Sequence, residues 1–148
     1  MNSKQIDDVL RAKCRGQFYG VYPIDKLPRV LASEKPLILV CNTQPHDQPG
    51  DHWIAMSISD KSIGYYFDSF GRRPPREIEL FMNRNCSKWS FNDRQLQSAA
   101  SRFCGQYCIF YCLYFSIGYK PDKILKCFNS DTGLNDVLAH GFVCKLLK

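Results

Sequence analysis

A cysteine stands at the start of the most apolar segment of the chain. In "QLQSAASRFCGQYCIFYCLYF", residues 95–115, Cys104 ends a polar, small-residue stretch and precedes a nearly continuous apolar run. A thiol is a useful nucleophile only as thiolate, and the positive end of a helix together with an imidazole lowers its pKa. Cys104 is therefore a candidate nucleophile at a helix N-terminus, with Ser98 or Ser101 as a possible cap. The helix alone leaves open that Cys104 is only a core residue.

A nucleophilic cysteine needs a general base, and the chain has three histidines. His46 lies in the proline-flanked loop "QPHDQP", where an exposed ring is expected, and His140 lies in "LAHGF", where a structural helix position is expected. His52 follows the turn "PGD" and opens a predicted strand. The sheet would hold this side chain while its ring faces a cleft, so His52 is the predicted base.

An acidic side chain is expected to orient the base and to stabilise the imidazolium. The segments "HWIAMSIS" and "SIGYYFDSF" are separated by "DK", which predicts a hairpin with a two-residue turn. Such a turn places His52 and Asp68 nearly opposite each other, so Asp68 is the predicted orienting acid. The alternative is that Asp68 only caps the turn at the end of its strand.

Acyl transfer also needs donors for the oxyanion, and each is worth ~2.7–4 kcal/mol in the barrier. Gln97 precedes Cys104 by seven residues, and its amide could donate beside the backbone N–H of Cys104. Gly105 leaves space beside the sulfur for an incoming carbonyl. A glutamine alone is a weak signal of such a site. His, Asp, Gln and Cys together in this chain order are a stronger one.

The elements that must position these residues are those of an α+β domain, with an antiparallel-containing central sheet packed on a buried central helix. The central helix is predicted from Cys104 to about Ile117, because this segment is apolar on every side. Gly141 is expected to interrupt the last helix, and Ser3 to cap the first. The other predicted helices lie at 3–13, 74–85, 120–128 and 134–147, and the strands at 35–43, 52–59, 62–70 and 88–92.

Length and composition predict one intracellular domain spanning residues 1–148. The chain is 45% hydrophobic, begins with a polar segment unlike a signal peptide, and has no apolar run long enough to cross a membrane. Eight cysteines without a CxxC pair indicate reduced thiols and no metal site. Cys108 and Cys112 are expected to pack in the core.

The net charge of +6 comes partly from the segment "GRRPPRE". Such a balance allows a basic surface that contacts DNA, or simply a solvated positive face. A non-catalytic nucleic-acid-binding module is therefore a second hypothesis. A redox sensor using Cys104 and Cys108 is a third, although sulfurs one helical turn apart suit a disulfide poorly.

Three motifs resemble those of the adenain-like cysteine proteases. "GDHWIAMSI", "YYFDSFG" and "QSAASRFCGQYC" are similar to the histidine, acidic and Gln…Cys-Gly motifs of adenain, and most similar to proteases of large DNA transposons and related viruses. The superfamily also includes the SUMO proteases. Adenain has glutamate where Asp68 stands, and the SUMO proteases have aspartate. Adenain is also longer and is stimulated by DNA and a disulfide-tethered peptide, for which this sequence shows no binding strand.

The resemblance implies a thiol endopeptidase with an adenain-like fold and no metal or organic cofactor. It makes His52 the base, Asp68 the orienting acid, Gln97 the oxyanion donor and Cys104 the nucleophile. Trp53 would line a narrow channel for a small-residue, often Gly-Gly, substrate segment, although a plain core position is the alternative. The expected partners are capsid-like precursor proteins or, alternatively, a ubiquitin-like protein removed by isopeptidase activity.

Overall fold

The computed structural model describes residues 1–31, 34–47 and 52–148. The turn "PGD" predicted before His52 falls outside these residues. Within them, one sheet contains five strands that lie side by side in chain order. The strands are β1 (Phe18–Pro23), β2 (Leu37–Asn42), β3 (Trp53–Ile58), β4 (Ile63–Phe67) and β5 (Lys88–Phe91).

The sheet is mixed, with an antiparallel centre and parallel edges. β2, β3 and β4 pair antiparallel, whereas β1 pairs parallel to β2 and β5 parallel to β4. Strand β1 is absent from the sequence-based prediction. Its sequence "FYGVYP" contains a glycine and ends in proline, which weaken a strand signal. Pairing with β2 supplies the backbone hydrogen bonds that stabilise it.

The helices of the described residues are α1 (Ser3–Lys13), α2 (Arg76–Asn85), α3 (Cys104–Ser116), α4 (Pro121–Leu125) and α5 (Thr132–Leu146), with a 3-10 turn at Ile24–Lys26. Two local predictions were wrong. Asn2, not Ser3, caps α1, because its side chain accepts from the backbone N–H of Gln5. Helix α5 runs through Gly141 without a break, since packing against α3 outweighs the low helix propensity of one glycine.

Helix α3 is the centre of the fold. It packs on β2 and β3, and α1, α4 and α5 cover its other sides. Most of its side chains are buried around the whole circumference, as its continuous apolar sequence predicts. Helix α2 packs on the opposite face of the sheet through Ile78, Phe81 and Met82. In the described part of the chain, no helix has both the length and the apolar character that crossing a bilayer requires.

The β3–β4 turn differs from the prediction by one residue. Ser59 N–H donates to the carbonyl of Ile63 at 2.9 Å, and Ser62, with a φ of 62°, completes a three-residue loop. Ala55 consequently lies opposite Phe67. Continued beyond the paired residues, this register sets Asp68 two positions away from the place opposite His52. The two residues are diagonal neighbours at the end of the hairpin.

Candidate active site

The thiol of Cys104 lies at the N-terminus of α3. The residue before it, Phe103, is the N-cap and makes no side-chain capping bond, so the predicted cap by Ser98 or Ser101 was wrong. The partial positive charge of the helix start is therefore not offset by a capping oxygen from the N-cap side chain. Cys104 is 8% exposed and reaches the wall of a cleft.

His52 and Asp68 meet at the end of the β3–β4 hairpin. Nε2 of His52 and Oδ1 of Asp68 are 2.7 Å apart, and both side chains are buried. The same carboxylate oxygen accepts from the backbone N–H of Phe70 at 2.8 Å. The Phe70 ring lies 5.0 Å from the imidazole, centroid to centroid. The diagonal register thus brings the imidazole to the acid and places an aromatic wall beside it.

Asn92 fixes the backbone at Asp68, and sequence reasoning missed this residue. Its Nδ2 donates to the Asp68 carbonyl at 2.6 Å, and its Oδ1 accepts from the Asp68 N–H at 3.1 Å. Asn92 lies just after β5 and 24 positions away in the chain. A buried asparagine after an edge strand gives no local signal for such a role.

The charged forms of the imidazole and the thiol stabilise each other. Burial disfavours the imidazolium, but the bond to Asp68 and the nearby Cys104 together outweigh burial and raise the pKa of His52 to about 9. Burial likewise disfavours the thiolate, yet His52 and the backbone of Trp53 and Gly105 lower the pKa of Cys104 below its ordinary value. In the described residues, Nδ1 of His52 has no hydrogen bond of normal geometry, and we attribute the mutual shift to proximity.

Gln97 is fully buried and lines the same cleft as Cys104. Its Oε1 accepts from the Ser69 hydroxyl at 2.6 Å. Its Nε2 contacts the carbonyl and the hydroxyl of Ser101 at 3.1 and 3.0 Å. The amide is therefore held between two serines, and its N–H groups lie on the Ser101 side.

Trp53 and Gly105 both lie next to Met1. The indole N–H of Trp53 donates to the Met1 carbonyl at 3.2 Å. A Cβ added at Gly105 would lie 3.3 Å from the Met1 Cβ and 3.4 Å from Cδ1 of Ile6. Close packing of α1 on α3 is thus a reason for glycine here, separate from the expected space for a substrate carbonyl.

Four of the six predicted site residues line one cleft of about 490 Å³, whereas Asp68 and Gly105 do not reach its wall. These four are His52, Trp53, Gln97 and Cys104. The other lining residues are Met1, Phe70, Arg72, Ala99, Ser101 and Arg102. A larger cavity of about 660 Å³ lies between the β3–β4 turn and the C-terminal end of α3. That cavity contains none of the candidate catalytic residues, so size alone does not indicate the site.

The other two histidines do not line the cleft that contains the thiol. His46 is exposed and its ring pairs with Asp25. His140 is exposed on α5 and stacks on Phe103 at 4.6 Å. Cys108 and Cys112 are buried as predicted, and burial raises the pKa of both thiols well above the ordinary value. Cys104 is thus distinct from the two cysteines that follow it on α3.

No family model matches the chain. A protease of Bovine adenovirus 7 is 25% identical over 130 residues, which is 78% of this chain and 63% of that protein. A protease of Ovine adenovirus D serotype 7 is 26% identical over 115 residues, or 66% of this chain and 57% of that protein. The chain therefore spans about six tenths of the length of the curated relatives it matches.

Solved protease structures share the fold. The ASFV pS273R protease superposes with a TM-score of 0.70 at 16% identity, over 94% of this chain and 66% of that one. The chain is similar to adenain-like cysteine proteases. SUMO protease Ulp1 superposes with a TM-score of 0.51 at 14% identity, over 100% of this chain and 79% of that one. The adenain-like α+β fold expected from the motifs is confirmed.

Proposed function

We propose that this adenain-like chain is a cysteine endopeptidase. The observation that carries the proposal is the thiol of Cys104 at a helix N-terminus beside a buried His52–Asp68 pair. The opposite pKa shifts of thiol and imidazole favour the ion pair that a thiol protease uses. The similarity to adenovirus proteases supports the same activity.

Four steps complete one turnover. The thiolate of Cys104 attacks the scissile carbonyl carbon, and the carbonyl oxygen becomes an oxyanion held by the Cys104 N–H and the Gln97 amide. The imidazolium of His52 then donates its proton to the leaving amine, and a thioester remains. Water attacks this thioester while His52 accepts a proton. The C–S bond then breaks, the acid product leaves, and the Cys104 thiolate and His52 imidazolium are restored.

For this role, one N–H of the Gln97 amide must turn from Ser101 to the oxyanion. Both of its close donor contacts are to Ser101, which lies on the same wall of the cleft. A carbonyl oxygen that becomes charged is a stronger acceptor than a neutral hydroxyl. The oxyanion therefore competes well for one amide hydrogen, while the other stays with Ser101.

The proposed substrates are proteins with small residues before the scissile bond, such as capsid-like precursors. Trp53 lines the cleft together with Cys104, and a bulky indole there favours glycine-sized substrate side chains. Removal of a ubiquitin-like modifier is the second candidate, and the superposition on SUMO protease Ulp1 favours it.

An intracellular location is part of the proposal. A DNA-binding role for the basic surface is not, since the comparisons give it no support.

A mechanism-based probe tests the proposal. A peptide ending in Gly-Gly with a vinyl sulfone in place of the scissile carbonyl should label Cys104 in the folded protein and not in urea. Cys127 is exposed and serves as the internal control, because a thiol without a base should not react with such a probe. Equal labelling of Cys127 and Cys104, or no labelling with no peptide cleavage, would refute the proposed activity.

A further inference from the structure

We infer that Ser69 is a positioning residue that, together with Ser101, holds Gln97 in its oxyanion-binding orientation. The inference rests on the proposed protease function and concerns how the same site is built. Ser69 is 1% exposed and immediately follows Asp68 at the end of β4. It does not reach the cleft wall, so it acts only through another residue.

Three hydrogen bonds join Ser69 to the segment that carries Gln97. The Ser69 hydroxyl bonds Oε1 of Gln97 at 2.6 Å. The Ser69 carbonyl accepts the backbone N–H groups of Leu96 and Gln97 at 2.8 and 2.9 Å. Ser69 therefore bonds both the main chain and the side chain of Gln97, and Ser101 bonds the other end of the amide.

These contacts determine which way the amide points. The Ser101 carbonyl can only accept, so the NH₂ group must face Ser101 and Oε1 must face Ser69. The Ser69 hydroxyl is then the donor to Oε1. A flipped amide would set Oε1 against the Ser101 carbonyl. Its N–H groups would then point to Ser69, and none would be available to an oxyanion on the Ser101 side.

Two adjacent residues, Asp68 and Ser69, each hold one residue of the proposed catalytic machinery. Asp68 holds His52 by its side chain, and Ser69 holds Gln97 by its side chain and its carbonyl. Asn92 fixes the backbone of this dipeptide at Asp68. The base and the oxyanion donor are thus both held by the two residues that directly follow β4.

The first test is Ser69→Ala, measured as kcat, as KM and as the rate of iodoacetamide alkylation of Cys104. The two carbonyl bonds remain, but the amide loses its orienting donor. We expect kcat to fall about 10-fold or more, up to the ~10²–10³ that removal of an oxyanion donor costs, with KM little changed. Alkylation should keep its rate, because displacement of iodide forms no oxyanion.

Ser57→Ala is the matched control. Ser57 is also 1% exposed and also hydrogen-bonded through its hydroxyl, but to Tyr111 on α3. A similar loss of stability is expected in both variants, with kcat retained only in Ser57→Ala. Rates are normalised to the fraction of Cys104 labelled by the Gly-Gly probe, which counts folded molecules.

The double variant decides whether Ser69 acts through Gln97. If it does, Ser69→Ala combined with Gln97→Ala should be no slower than Gln97→Ala alone. Losses that multiply, or normal kcat in Ser69→Ala, would overturn the inference. If Ser69→Ala does not fold, Ser69→Thr and Ser69→Cys replace it, and kcat should follow the donor strength of the side chain.

The two proposals fail in different ways. A wild-type chain that neither cleaves peptides nor takes the probe refutes the protease function. A wild-type chain that cleaves peptides while its Ser69 variants turn over normally refutes only the positioning role.

Discussion

At His52, burial and charge act in opposite directions on the same ring. Burial alone would keep the imidazole neutral, but the bond to Asp68 and the adjacent thiol reverse that effect. The carboxylate is itself buried, and its Oδ1 is held by the imidazole and by a backbone N–H. A charge this far from water persists only with such partners. We therefore expect the site to depend on the charge of Asp68 as well as on its shape.

Asp68→Asn tests that dependence. The amide keeps the shape but removes the negative charge, so the pKa of His52 should fall from about 9 and the imidazolium should be less stable. We expect turnover to drop by a large factor, up to the ~10⁴ known for a serine-protease triad. Steady-state kinetics and NMR titration of His52 measure both effects. Wild-type turnover in this variant would mean that Asp68 only caps the turn and that the catalytic residues are a Cys-His dyad.

His52→Ala should change how the thiol responds to pH. In the wild type, the lowered pKa of Cys104 keeps thiolate present at pH values below the ordinary range of a cysteine. Without the imidazole, that pKa rises, so alkylation of Cys104 at pH 6–7 should slow and recover only at higher pH. Cleavage should be lost.

His46→Ala and His140→Ala are the matched controls, because both rings are exposed and away from the cleft. Near-normal cleavage is expected in each. An unchanged alkylation profile in His52→Ala, or loss of cleavage in either control, would contradict the assignment of the base.

At the scale of elements, the central helix and the hairpin were predictable because local sequence determines them. The apolar run after Cys104 and the two β-rich segments each carry their own pattern. Strand β1 and the three-residue turn were not predictable, since pairing with β2 and the left-handed Ser62 depend on context. Gln97 carried a chemical signal, whereas Ser69 contributes through contacts that appear only when the chain is folded.

The cysteines of α3 separate stability from activity. Cys108→Ala and Cys112→Ala each remove a fully packed sulfur, so the free energy of unfolding should fall by about 1 kcal/mol or more. Cleavage per folded molecule should be retained. Cys104→Ala should abolish cleavage and leave the thermal transition almost unchanged, because the thiol lies at the cleft.

Cys127→Ala is the control for both effects, since this exposed thiol should affect neither. Thermal unfolding and steady-state kinetics on all four variants give the comparison. Equal loss of turnover in the three α3 variants, at equal stability, would contradict the assignment of the nucleophile.

At the scale of the whole molecule, the net charge is +6, and two of the basic residues that contribute to it lie at the cleft. Arg72 and Arg102 are exposed and line it together with the catalytic residues. The guanidinium of Arg72 lies 4.9 Å from the centre of the Phe70 ring, which itself packs beside the His52 ring. Since Asp68 is buried against His52, the two arginines determine the charge that a substrate meets.

Substrates with an acidic residue near the scissile bond should therefore be cleaved faster. For a peptide with Asp or Glu flanking the Gly-Gly segment, Arg72→Gln and Arg102→Gln should each lower kcat/KM severalfold, and added salt should do the same to the wild type. A neutral peptide should show neither effect. Lys120→Gln makes the same charge change at the larger cavity, away from the site, and should behave as wild type. If all three variants lose activity equally on the acidic peptide, the effect belongs to net charge and not to the cleft.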